Sequence, residues 1–204
     1  MKLILSLTLI LTLSSTAKAV ECWIGEGNDP DRLFPFPCNS TDLCATIAEQ
    51  TNKNGNLSQS TFKVCLPSSL FSKGNHIFSF NVGFEAVTAS VYLCNTDRCN
   101  NKTIPYPDVM KQNKLQCFGC DDPSSAVCNK TVQCVGEQDR CINGTVEVQN
   151  GVMFHTFGCV SENLCKVASY LESLPMPLPF KFLRAPKCCE SSFCNSAWSV
   201  KLNV

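Results

Sequence analysis

The sequence predicts an all-β fold made of two tandem, disulfide-rich domains, and three observations support this prediction. The chain of 204 residues contains 16 cysteines, a proportion typical of disulfide-stabilised scaffolds. The pattern Cys-x4-Cys-Asn occurs at residues 94–100 and again at residues 189–195, which indicates an internal repeat. Several short runs alternate apolar and polar residues, as half-buried strands do.

The N-terminus has the organisation of a secretory signal peptide. Lys2 precedes an apolar run at residues 3–13, and residues 17–19 form a small-x-small cleavage site. The run is shorter than the roughly 20 residues that a membrane-spanning helix needs. We expect residues 1–19 to be removed and the mature chain to enter an oxidising compartment, where disulfides persist.

The C-terminal sequence and the charge balance narrow the class of protein. Residues 196–204 contain no apolar tail of the kind that a lipid anchor requires, so we expect a secreted, extracellular product without a membrane anchor. The 17 basic and 17 acidic residues balance, which argues against nucleic-acid binding. The two histidines, His76 and His155, argue against a multi-histidine metal site.

The cysteines divide the chain into two halves. We expect a first domain at residues 20–100 with six cysteines, a linker at 101–116 and a second domain at 117–204 with ten cysteines. Domains of this size bury a modest core and need cross-links for stability. Each disulfide typically contributes about 2–4 kcal/mol, but the spacing alone leaves the pairing open.

The strongest hairpin signal lies in the second half. Two alternating runs flank Asn150 and Gly151, and an Asn-Gly pair favours a type I′ turn. A two-residue loop would place Val146 opposite His155.

The first half contains a related pattern. Residues 44–49 and 59–65 predict a similar hairpin with a longer polar tip that contains Asn54 and Gly55. Alternation continues over residues 78–84 and 87–93. Only residues 163–174 have a pattern compatible with a short helix.

The cysteine spacing resembles the three-finger domains of the lymphocyte-antigen-6/urokinase-receptor superfamily. The second half carries Cys-Phe-Gly-Cys at 117–120, Cys-Cys at 188–189 and Cys-Asn at 194–195. The resemblance implies that Asn195 fastens the chain end to the palm, where the fingers meet. It also implies the disulfides Cys22 with Cys44, Cys38 with Cys65, Cys94 with Cys99, Cys117 with Cys141, Cys120 with Cys128, Cys134 with Cys159, Cys165 with Cys188, and Cys189 with Cys194.

The first half lacks counterparts of two of these pairs, which leaves its first and third fingers less tethered. Within the superfamily, two tandem domains, secretion and no anchor resemble the gamma-type phospholipase A2 inhibitors and their fish and mammalian relatives. Residues 158–165 are similar to the second domain of those inhibitors. The resemblance therefore implies a steric inhibitor of a secreted phospholipase A2, and the oligomers formed by these inhibitors imply a possible homo- or hetero-oligomer.

The chemistry-bearing motifs point away from an enzyme. The pair Cys117-x-x-Cys120 could be a redox dithiol or half a zinc site, but its place in a ten-cysteine frame favours structural disulfides. The Cys188-Cys189 pair resembles a secreted phospholipase A2 motif, yet the catalytic histidine of that motif is missing. No Gly-x-Ser-x-Gly element is present. We expect no catalytic, cofactor-binding or metal-binding residues.

Five Asn-x-Ser/Thr sequons predict glycosylated, exposed positions. They are Asn39, Asn56, Asn101, Asn129 and Asn143. Asn56 and Asn101 are the strongest candidates, whereas Asn143 lies close to a disulfide.

Two apolar stretches in the third fingers are candidate binding surfaces. Their residues are Phe78, Phe80 and Phe84 in the first half, and Met176, Leu178, Phe180 and Phe182 in the second. Such rows either pack between the two halves or remain exposed for a partner. The alternative to phospholipase inhibition is a soluble receptor-like module that binds another extracellular protein or a cell-surface receptor. A toxin-like receptor blocker fits less well, because residues 143–158 contain no lysine or arginine.

Overall fold

A computed structural model describes residues 19–125, 127–148, 151–170 and 180–196. Most of these residues form strands, as predicted, and the one α-helix among them is short. In chain order the elements are β1 Glu21–Glu26, β2 Phe34–Pro37, β3 Asp42–Lys53, β4 Asn56–Pro67, β5 Gly74–Asn81, β6 Glu85–Cys94, β7 Gln112–Gly119, β8 Lys130–Val135, β9 Arg140–Val148, β10 Met153–Val160, α1 Glu162–Ala168, β11 Phe180–Phe182 and β12 Lys187–Cys189.

The strands of both halves join in one large antiparallel sheet. Its order is β2-β1-β4-β3-β6-β5 in the first half, continued by β10-β9-β11 in the second, and β12 also pairs with β9. Strands β7 and β8 form a separate pair. Strand β7 starts at Gln112, so part of the segment interpreted as a linker is paired. Among the described residues, no helix is long and apolar enough to cross a bilayer.

The central hairpin of the first half is longer and tighter than the sequence suggested. Strands β3 and β4 pair up to Lys53 opposite Asn56, so Asn54 and Gly55 alone form the turn. Their φ angles are 52° and 86°, and two positive φ angles define a type I′ turn. The prediction of a longer polar tip is therefore wrong, because the polar residues beside the turn continue the strand ladder.

The hairpin of the second half has a register one residue away from the predicted one. Val146 pairs with Phe154, not with His155. The Gly151 N–H donates to the Val148 carbonyl at 2.8 Å, and the Val148 N–H donates to the Val152 carbonyl at 2.9 Å. The connection between Val148 and Val152 is therefore one residue longer than the predicted two-residue loop, and Gly151 within it has a positive φ of 76°.

Eight disulfides join all 16 cysteines, and no cysteine is free. The bonds are Cys22 with Cys44, Cys38 with Cys65, Cys94 with Cys99, Cys117 with Cys141, Cys120 with Cys128, Cys134 with Cys159, Cys165 with Cys188, and Cys189 with Cys194. These are the pairs that the family resemblance implies. In each half, buried half-cystines form the palm core. A separate apolar cluster between the sheet strands of the first half contains Leu43, Leu66, Val91 and Leu93.

One asparagine completes each palm, in the same way in both halves. Asn100 accepts a hydrogen bond from the Trp23 N–H at 2.9 Å and donates to the carbonyls of Trp23 and Ala45 at 2.8 and 3.0 Å. Asn195 accepts from the Phe118 N–H at 3.0 Å and donates to the carbonyls of Phe118 and Ile142, both at 2.9 Å.

These side chains are 0% and 2% exposed. Each asparagine therefore ties the chain end of its half to two strands at once.

We expect Asn100→Ala and Asn195→Ala each to lower the free energy of unfolding by about 2–4 kcal/mol. Each substitution leaves three backbone groups, one buried and two partly buried, without their side-chain partner. The measurement is chemical denaturation with the disulfides intact. Asn95→Ala, at an exposed position between Cys94 and Cys99, is the control and should change stability little. Equal stability of all three variants would contradict this role.

Candidate binding groove between the two halves

The two halves meet where β5 of the first half pairs with β10 of the second. Asn81 pairs with Cys159, and Phe80 pairs with Val160. Beyond the strand end, the Ser161 N–H donates to the Ser79 carbonyl at 2.8 Å. The Ser79 N–H donates to Ser161 Oγ at 3.0 Å. Main-chain pairing thus makes one continuous sheet across the boundary.

Side-chain hydrogen bonds and one close main-chain approach join the two halves at this boundary. Gln138, which is buried, donates from Nε2 to Ser79 Oγ at 2.8 Å. Asn163 donates from Nδ2 to the Ile77 carbonyl at 2.7 Å. Gly158 faces the first half so closely that a Cβ atom there would overlap the Asn81 carbonyl oxygen. The close approach of the two main chains therefore requires glycine at this position.

A cavity of about 520 Å³ lies beside this boundary, between the two halves. Most of its walls are apolar, and its polar lining residues include Lys53 and Glu85. We call it the interdomain groove. Its apolar walls are formed by Phe80, Val82 and Phe84 of the first half and by Ile142, Val146, Val148, Phe154, Val160, Leu164, Ala168 and Phe182 of the second.

Strand register places the apolar residues of the second half on one face. Phe154 and Phe182 both pair with Val146, and directly paired residues point to the same side of a sheet. Gly144 leaves room for the Phe182 ring, because a Cβ atom there would lie 3.1 Å from Phe182 Cε1. Met153, next to Phe154, points to the opposite face and is 63% exposed.

The structure brings together three of the predicted binding residues and separates a fourth. Phe80, Phe84 and Phe182 line the interdomain groove. Phe78 does not, because it lies closer to the palm and packs edge-to-face on Phe71 with a centroid distance of 5.9 Å. Met176, Leu178 and the side chain of Phe180 lie outside the described residues, as do Asn150 and residues 1–18 of the predicted signal peptide.

The sequence did not identify the groove-lining residues of β9, β10 and α1 as part of a binding site. Val146, Val148 and Phe154 belong to runs whose alternation was recognised, but the predicted register placed Val146 opposite His155. The one-residue shift pairs it with Phe154 instead. Leu164 and Ala168 come from the short helix, whose position over the groove leaves no local sequence signal.

Of the two histidines, His155 is exposed and also lines the interdomain groove, whereas His76 is half-buried and lies outside it. His76 Nε2 lies 2.8 Å from the Ser72 carbonyl oxygen, and His155 Nδ1 lies 3.4 Å from Thr145 Oγ1. Four sequon asparagines are exposed, and the fifth, Asn143, is half-buried. The Asn143 side-chain amide lies 3.4 Å from the Asn195 carbonyl oxygen. The exposed ones are Asn39, Asn56, Asn101 and Asn129.

A smaller cavity of about 250 Å³ lies on the first half. One of its lining residues is Lys63, which is 1% exposed. Lys63 Nζ donates to the Asn100 carbonyl at 2.6 Å. Burial lowers the pKa of Lys63 below its usual value of 10.5, because desolvation disfavours the charged ammonium.

The share of the chain that matches a known domain identifies its family. The model of the u-PAR/Ly-6 domain matches residues 31–102 and 113–197, which together make up more than half of the chain. The chain belongs to the u-PAR/Ly-6 domain family. The prediction of an all-β chain with two tandem domains of this superfamily is confirmed.

Curated relatives of this u-PAR/Ly-6 protein include receptor and inhibitor proteins. The bovine urokinase plasminogen activator surface receptor is 24% identical over 175 residues, which is 79% of this chain and 48% of the receptor. A phospholipase A2 inhibitor of the gamma type, found in Elaphe climacophora and in Elaphe quadrivirgata, is 34% identical over 77 residues, which is 35% of this chain and 38% of the inhibitor chain. The chain therefore spans less than half the length of each of these relatives.

Among solved structures, mouse TEX101 covers 86% of this chain and 98% of its own, at 17% identity and a TM-score of 0.31. That TM-score is too low to add to the assignment.

We expect Gly158→Val to separate the two u-PAR/Ly-6 domains. A branched side chain would collide with the main chain at Asn81, at a cost of about 1–3 kcal/mol or more. Small-angle scattering should show a larger radius of gyration, with the disulfides retained. Met153→Val, an exposed substitution in the same strand, is the control. An unchanged radius for Gly158→Val would refute the close approach.

The buried Lys63 predicts a pH-dependent stability. Its folded-state pKa is lowered, so above that pKa and below the usual value the unfolded state binds more protons. The stability of the wild type relative to Lys63→Met should therefore rise as pH increases from about 8 to about 10. Denaturation at both pH values measures it. A constant difference would mean that Lys63 titrates normally.

Proposed function

We propose that this chain is a secreted, non-enzymatic binding protein that uses the interdomain groove to bind an apolar surface of a secreted phospholipase A2. The observation that carries the proposal is the groove itself. It is largely apolar and about 520 Å³ in volume, and it lies between domains held together by main-chain pairing. A preformed apolar recess of this kind suits the side-chain anchors that dominate protein interfaces.

Inhibition is steric, because the bound chain covers the enzyme surface that would otherwise contact lipid. A secreted phospholipase must present an apolar surface to a lipid layer, and the same surface is complementary to Phe84, Phe154 and Phe182. Lys53 and Glu85 pair directly across β3 and β6 and both line the groove. They offer one charge of each sign to orient the partner.

The choice of partner is supported by the similarity to the gamma-type inhibitor chains of the two Elaphe species. Secretion is supported by the signal-peptide pattern of residues 1–19 and by eight disulfides, which persist in oxidising compartments.

A second candidate function is a receptor-like module for another extracellular protein. A specific observation favours it, because the similarity to the bovine surface receptor extends over 175 residues and therefore across both domains. In this case the groove would hold a different protein ligand, again without chemistry.

We expect Phe154→Asp and Phe84→Asp each to weaken binding to a secreted phospholipase A2 by at least about tenfold, which corresponds to 1.4 kcal/mol. Each substitution places a charge on one wall of the groove, where an apolar partner surface would desolvate it. The measurement is surface plasmon resonance of the glycosylated mature chain against a panel of secreted phospholipases, together with hydrolysis of lipid vesicles. Met153→Asp, on the opposite face of the same strand, is the matched control.

The outcomes separate the two candidates. Binding that Phe154→Asp and Phe84→Asp weaken, and that Met153→Asp leaves intact, supports the inhibitor function. No binding to any enzyme of the panel at micromolar concentration removes the phospholipase and leaves the receptor-like module. Equal loss with all three variants would place the contact outside the groove.

A further inference from the structure

The smaller cavity of the first half is lined by a glycosylation sequon. Asn101, Lys102 and Thr103 form an Asn-x-Thr sequence. Both Asn101 and Thr103 line the 250 Å³ cavity, and Asn101 is exposed. An acceptor asparagine at the mouth of a cavity differs from one on an open loop, because the attached sugar has walls to contact.

The backbone at Asn101 is held firmly. Asn101 is the last residue of the 3-10 turn Cys99–Asn101, and the first residue of this turn, Cys99, is fixed by the disulfide to Cys94. The Asn101 N–H donates to the Arg98 carbonyl at 3.2 Å. The preceding residue, Asn100, is the buried palm asparagine. The palm therefore fixes the position of the Asn101 main chain beside the cavity.

The walls of the cavity have the mixed chemistry that a pyranose ring needs. Trp23 and Leu33 are apolar, whereas Asn28, Lys63 and Thr103 are polar. A pyranose presents C–H groups on its ring faces and hydroxyl or amide groups around its edge. The Trp23 main chain bonds to Asn100, and the Arg98 guanidinium carbon lies 5.5 Å from the centroid of the indole ring.

The size of the cavity selects one sugar, not a chain of sugars. Its volume is about 250 Å³. That space suits a single N-acetylhexosamine with its ring against Trp23, while later sugars extend into solvent.

We propose that Asn101 carries an N-linked glycan whose first N-acetylglucosamine lies in this cavity against Trp23 and stabilises the palm of the first half. In the covalent step, Asn101 Nδ2 forms a bond to C1 of the sugar. The diphosphate of a lipid-linked oligosaccharide donor leaves from the same carbon, and Nδ2 loses one proton. The glycan is therefore a structural part of the domain, and this role goes beyond partner binding.

The other exposed sequons provide an internal comparison. Asn39, Asn56 and Asn129 are exposed but line neither of the two cavities described above. Asn56 lies directly after the type I′ turn at the tip of a hairpin, where a sugar meets solvent on all sides. A glycan on Asn56 should therefore add little to stability.

The test compares glycoforms of the full secreted chain. Glycopeptide mass spectrometry determines the occupancy of Asn101, and calorimetry measures Tm. We expect Asn101→Gln, and independently Thr103→Ala, to lower Tm by about 2–4 °C, because the contacts between the first sugar and Trp23 are lost. Asn56→Gln is the matched control and should leave Tm unchanged. Trimming every glycan to its first N-acetylglucosamine should preserve the wild-type Tm.

Each result decides the proposal. Occupied Asn101, together with a Tm loss on full removal but not on trimming, supports it. An unoccupied Asn101, a Tm loss equal to that of Asn56→Gln, or a Tm loss on trimming to one sugar would overturn it. None of these measurements uses a protein partner, so their failure is distinct from failure of the proposed function.

Discussion

The covalent pairing of sulfur in the two palms is the constraint on which the rest of the structure depends. Each half is small, and its palm is filled by half-cystines such as Cys22, Cys44, Cys117 and Cys141, each 0% exposed, where a larger domain would place aliphatic side chains. The fingers extend from these palms as thin sheets with little apolar material to cover them. The faces of the fingers are therefore left available for contacts between the halves and for recognition.

The fold was largely predictable because cysteine spacing is a global signal. Ten cysteines in a defined order identify the family without any knowledge of strand register. The register itself was not predictable, because an Asn-Gly pair serves both a two-residue loop and a three-residue loop. Asn54 and Gly55 form the first kind of loop, whereas Gly151 closes the second kind.

The interdomain groove could be predicted only in part, for a related reason. Alternation identified Phe80, Phe84 and Phe182 as unusual apolar residues in thin fingers. Their convergence depends on pairing between β5 and β10, strands separated by more than 70 residues. A local trace of this pairing is Gly158, whose missing side chain admits Asn81. A single glycine carries no information about which segment will approach it.

The edge strand β2 determines whether further chains can pair with this end of the sheet. The Cys38 N–H points inward to the Val20 carbonyl, at 2.9 Å, so the alternate positions of β2, Pro35 and Pro37, face outward. Proline has no N–H to offer an incoming strand. Strand β2 therefore resists pairing with further chains. At this edge, the sheet is protected from polymerising into fibres.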